Sequence, residues 1–196
     1  MNRLLEGTAW GVAALLLQAC AGVENLVDTT DAYVEGDTLH LSGTMNSRSY
    51  REIERLIDRH PELTRIEIGE IDGSVDDHMT LRTGLMLHRA GLDTHLRADS
   101  FIESGGVDIF CAGRNRTAEQ GAHVGVHSWS YLDESVSGDK LAPSDPEHAP
   151  YLDYFETVGC PVDFYWYTLK AASADDIYVM TNDELLSQGV VTRFVD

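Results

Sequence analysis

Basic residues are scarce in this chain: 14 lysines and arginines stand against 33 aspartates and glutamates, a formal net charge of −19 over 196 residues. Nothing basic clusters, so the phosphate contacts that hold nucleic acid or an anionic lipid surface have no source. The acidity itself reads as a solubility feature. Cysteine is scarce too, with only Cys20, Cys111 and Cys160, and no C-x-x-C or Cys/His cluster suggests a structural zinc. His123 and His127 share a strand face, yet no acidic or cysteine partner stands at ligand spacing, so no metal is expected. Long apolar runs are missing as well. The run Ala9–Leu17 is too short to cross a bilayer as a helix.

That short run is a targeting segment rather than part of the fold. A single arginine precedes it, and Leu17-Gln18-Ala19-Cys20 follows, which resembles a bacterial lipobox. The resemblance implies a signal peptide over 1–19 and lipidation of Cys20. With Ala21 following that cysteine, it also implies a periplasmic protein anchored to the outer membrane. Residues 20–31 then form a tether, and 32–196 one domain, long enough for a substantial core. Cys111 and Cys160 could pair in an oxidising compartment, and a buried free thiol is the alternative for Cys111.

Apolar spacing and turn residues order the domain. Ala32–Val34 and Thr38–Leu41 flank Glu35-Gly36-Asp37 as a hairpin. Asn46 or Ser47 caps a helix through about His60, which Pro61 stops. Thr64–Ile68 reads as a strand, Gly69–Ser74 as a turn, and Asp77–Ala90 as a helix closed by Gly91. A short strand at Thr94–Arg97 precedes a helix from Ser104 to Gly113, and His123–His127 alternates as a strand. Strand and helix in alternation give the α/β class. Residues 128–150 are polar and rich in Ser, Asp and Pro, a long loop or insertion. Two helices follow, at about 150–158 and 162–172. The aromatic second one, VDFYWYTLKAA, packs on the core or on a partner. A short helix over Asn182–Leu186 and a strand over Val190–Val195 close the chain.

The stretch SGGVDIFCAGRNRTAEQGAHVGVH, Ser104 to His127, carries the chemistry. A serine hydroxyl beside Gly-Gly at a helix N-terminus sits among unpaired N–H groups, where developing negative charge is favoured. An imidazole on the following strand could serve it as base. The plainer reading of Ser104 is a helix N-cap.

From Thr38 to Val195 the chain resembles the Clp protease/crotonase superfamily, and more closely the exported Clp-protease-like proteins of bacteria. The likeness is strongest at Ser104–Gly113, His127 and the closing segment DDIYVMTNDELLSQGVV. It implies a Clp protease/crotonase-like spiral of β-β-α units with a C-terminal helical extension. It also implies a serine hydrolase, acting on a peptide or other acyl substrate without cofactor or ATP. Ser104 would be the nucleophile, His127 the base and Asp176 the third member, with Asp175 as its rival. The N–H groups of Gly73 and Gly105 would form the oxyanion hole. Relatives assemble through the region after the histidine strand, so the likeness further implies a homo-oligomer. Membrane contact would come through the lipid anchor alone.

Three positions depart from the family pattern. Asp72 stands where a glycine is usual, placing a carboxylate beside the oxyanion turn. Asp108, one helical turn beyond Ser104, reads as a partner of Arg116 or as a member of the pocket. Counting back from Gly189 without a gap lands on Ile177, one residue past Asp176. These departures motivate an alternative, a catalytically inactive periplasmic lipoprotein that serves in binding or assembly. A crotonase-type acyl-CoA enzyme is a further rival, opposed by export and by the absence of a basic patch.

Overall fold

The computed structural model describes residues 30–131 and 135–196. The expected signal peptide, Cys20 and nearly all of the tether therefore lie outside the described residues. Strands β1 (Asp31–Glu35) and β2 (Thr38–Ser42) pair antiparallel around Gly36, whose φ of 62° suits the tight turn. The side chain of Asn46 accepts from the N–H groups of Arg48 and Ser49, and Ser49 reciprocates toward Asn46 N–H. This capping box starts α1 (Ser47–Arg59). In β3 (Arg65–Ile71) the alternation of Ile66 and Ile68 turns both onto the core. Asp76 caps α2 (Asp77–Ala90), which ends at Gly91 in the left-handed conformation.

Strand β4 (Asp93–Glu103) runs well past the expected Arg97 because it serves two neighbours. After it come α3 (Gly105–Cys111), β5 (Arg116–Glu119) and β6 (His123–Val126). The first part of β4, Thr94–Leu96, pairs in parallel with β5, and its last part, Phe101–Glu103, pairs in parallel with β6. The changeover coincides with a register shift between Ile68 and Glu70 in β3, where the Ser100 hydroxyl donates to the Ile68 carbonyl at 2.6 Å. Splitting the sheet in this way delivers Glu103 and β6 side by side at one end. Strand β5 has no pattern of its own in the sequence. Pairing with β4 makes it extended.

The rest of the chain builds a helical roof. Helices α4 (Ala149–Val158) and α5 (Val162–Ala171) pack on the core, with Phe155, Phe164 and Tyr165 nearly inaccessible. The aromatic helix thus packs within its own chain. Within 128–150 the described residues are tied down: Ser128 N–H donates to the Ala172 carbonyl, and Trp129 stacks on Tyr151 with ring centroids 5.4 Å apart. Strand β7 (Tyr178–Val179), helix α6 (Asn182–Ser187) and strand β8 (Arg193–Val195) finish the fold. The sheet of eight strands runs β1-β2-β3-β4-β5-β8, with β6 and β7 branching from β4. The α/β architecture is as expected.

Cys111 and Cys160 form a disulfide, which joins the end of α3 to the turn between α4 and α5. Arg116 is also fixed inside. Its guanidinium donates to the carbonyls of Gly113, Gly189 and Val190, anchoring the last segment. The expected Arg116–Asp108 pair is therefore not formed. Three carbonyls already use the guanidinium.

Candidate active site

Ser104 joins β4 to α3 with φ 50° and ψ −121°, the one non-glycine residue at positive φ among the described residues. Such a conformation costs of the order of 1–3 kcal/mol and persists only where the surroundings impose it. The surroundings here are two close backbone approaches. A Cβ on Gly106 would lie 2.7 Å from the Ile71 carbonyl oxygen, and one on Gly105 2.8 Å from the Ser74 Cβ. Only glycines let α3 begin this near the turn after β3. The Ser104 hydroxyl makes no capping hydrogen bond, so the plain N-cap reading does not hold. Instead Ser104 lines a cavity together with His127.

Gly73 and Gly105 flank the same serine. Gly73 has φ 149°, and a Cβ there would sit 3.6 Å from Ser104 Cβ. Gly105 is the first residue of α3, so its N–H has no carbonyl one turn below it. Asp72 does not crowd this corner. It is exposed, and its carboxylate accepts from the Thr44 hydroxyl at 2.9 Å, outside the cavity.

His127 follows β6 by one residue and faces the cavity, with its Nδ1 buried and without a hydrogen-bond partner among the described residues. Asp176 does not supply one. Asp176 is exposed and its carboxylate accepts from the Ile177 N–H next to it. Asp175 is exposed as well, and neither aspartate lines the cavity. It is Ile177 that packs on β6: a Cβ on Gly125 would meet its Cγ2 at 2.7 Å. His123 lies elsewhere, bonded to Glu103 at 2.8 Å and stacked on Phe101.

Other walls come from Asp77 of α2, Trp129, Tyr151 and Phe155 of α4, and Phe164, Tyr165 and Thr168 of α5, which sequence reasoning did not place at the site. The cavity is small, about 40 Å³. A larger one of about 310 Å³ adjoins it and shares Asp77, Trp129 and Tyr151. Asp108 belongs to the small cavity. Burial, with the Asp77 charge added, holds its carboxyl well above the usual carboxylate range. Burial likewise pushes the Tyr165 phenol up to about 12. No group of three or more metal-ligating side chains occurs among the described residues.

No family model matches the sequence, and no curated protein matches it. Solved structures do. An enoyl-CoA hydratase from Shewanella pealeana superposes with a TM-score of 0.53 at 10% identity, covering 88% of this chain and 70% of the hydratase. A membrane-bound stomatin-specific protease in complex with a substrate peptide gives 0.55 at 14% identity, over 80% of this chain and 73% of the protease. Pseudomonas aeruginosa DspI gives 0.51 at 13%, over 85% and 73%. The chain thus shares its fold with these enoyl-CoA hydratase and stomatin-specific protease structures.

Proposed function

We propose that the protein is a serine hydrolase, a peptidase by preference, in which Ser104 and His127 act as a pair. One observation carries this reading. A serine held at positive φ, with its hydroxyl unspent on its own helix, shares a small cavity with a histidine and has Gly73 and Gly105 at its flank. Ser104 Oγ attacks the acyl carbonyl and His127 takes its proton, then passes it to the leaving group. The N–H groups of Gly73 and Gly105 hold the oxyanion, and loss of one such donor costs about 3–4 kcal/mol of barrier. Water then attacks the acyl-enzyme by the same route in reverse.

Among the described residues no carboxylate reaches His127 Nδ1, and this favours the second reading, a binding or assembly protein that keeps the fold. A fluorophosphonate probe separates the two. Hydrolase chemistry predicts one labelled site, found at Ser104 by mass spectrometry and lost in Ser104→Ala. Labelling that survives the substitution, or none in the wild type, leaves the binding reading.

The compartment we propose is the bacterial periplasm, with the lipidated Cys20 as anchor. The Cys111–Cys160 disulfide supports it, since such bonds persist in oxidising surroundings. Assembly into a homo-oligomer is proposed on the family resemblance alone.

A further inference from the structure

We propose that Asp77 is a positioning residue, a latch that holds the Gly73–Ser74 turn against Ser104 and ties that turn to the helical roof. The proposal rests on the hydrolase reading for the use made of the turn. Its geometry stands independently.

Asp77 opens α2, yet its carboxylate does not cap that helix. Asp76 does so, accepting from the Met79 N–H at 3.0 Å. The two oxygens of Asp77 are used across the molecule instead. One accepts from the Ser74 hydroxyl, and the other accepts from the Tyr151 hydroxyl at 2.8 Å. Hydrogen bonds to a charged acceptor are roughly twice as strong as neutral ones. Ser74 directly follows Gly73, and a Cβ on Gly105 would meet its Cβ at 2.8 Å and its hydroxyl oxygen at 3.0 Å. The seat of the Ser74 side chain thus sets how closely the two oxyanion amides approach. Tyr151 comes from α4 and stacks between Trp129 and Tyr165, each 5.4 Å away between ring centroids. A single carboxylate therefore connects the oxyanion turn, the start of α2 and the wall of the cavity.

The test uses the full-length protein and five variants: Ser74→Ala, Tyr151→Phe, Asp77→Ala, Asp77→Asn and the double variant Ser74→Ala/Asp77→Ala. Two quantities are read, the second-order rate of fluorophosphonate labelling at Ser104 and the amide shifts of Gly73 and Gly105 in ¹⁵N-glycine protein. A displacement on the ångström scale can cost about 100-fold in rate, so Asp77→Ala is expected to slow labelling by roughly 10–100-fold. Each hydroxyl variant should lose less, and Ser74→Ala combined with Asp77→Ala should lose little more than Asp77→Ala alone. Asp77→Asn keeps an acceptor for Ser74 and should recover part of the rate, with the two glycine shifts moving in the same order. Unchanged labelling and unmoved shifts in Asp77→Ala overturn the latch, whatever happens to Tm. If the wild type is not labelled at Ser104, the hydrolase reading fails. The glycine shifts then decide the latch alone: movement supports it and constancy overturns it.

Discussion

The two walls of the cavity are built by different means. On one side backbone meets backbone: the Gly73 turn, Ser104 at positive φ and the Gly105-Gly106 start of α3 pack within a side chain's thickness of one another. On the other side α4 and α5 present aromatic rings, with Tyr151, Phe155, Phe164 and Tyr165 filling the space. The first wall sets the position of atoms that would take part in a reaction. The second sets what fits against them, and tolerates exchange of one ring for another more readily. Under the hydrolase reading, catalytic geometry and substrate choice would fall to separate segments of chain.

The Cys111–Cys160 disulfide joins the two walls, and cutting it should have the largest effect. It closes a loop of sequence separation 49, for which chain entropy gives a stabilisation of about 4 kcal/mol. Replacing both cysteines with alanine should lower Tm by roughly 10 °C in a thermal melt. It should also slow labelling at Ser104, since α3 and the roof lose their tether. A Tm within a degree of the wild type contradicts that role.

A smaller effect concerns the charge enclosed between the walls. The Asp108 carboxyl is raised in the folded state by burial first and by the Asp77 charge second. From about pH 4 upward the unfolded chain has released a proton that the folded chain retains, so this group subtracts stability as pH rises. The loss ends once pH has passed the folded value. Asp108→Asn removes that slope. At pH 8 the variant should be more stable than the wild type in a denaturant melt. The difference should shrink toward pH 4. An equal difference at both pH values contradicts the account.

The first wall was largely legible in the sequence because backbone constraints leave compositional marks. Gly105 and Gly106 after Ser104, Gly73 in a turn, and the alternation of His123, Gly125 and His127 each name a local conformation. Asn46 and Gly91 marked helix ends for the same reason. The second wall was not legible. Tyr165 read only as part of an aromatic helix, while Tyr151 and Asp77 carried no mark of a site, because their roles depend on contacts between distant segments. Strand β5 and the second half of β4 escaped for a related reason: sheet pairing, not local pattern, makes them strands. Asp176 shows the limit of motif matching. The carboxylate nearest in sequence is turned outward, and Ile177 takes the position against β6.

The central claim is that Ser104 and His127 act together and that Asp176 takes no part. The most direct measurement sets His127→Ala and Asp176→Asn side by side and compares their rates of fluorophosphonate labelling at Ser104. Loss of a general base lowers such rates by roughly 10²–10⁴-fold. The account predicts a fall of that size in His127→Ala and a wild-type rate in Asp176→Asn. A fall in Asp176→Asn as deep as that in His127→Ala, or full labelling without His127, would contradict it.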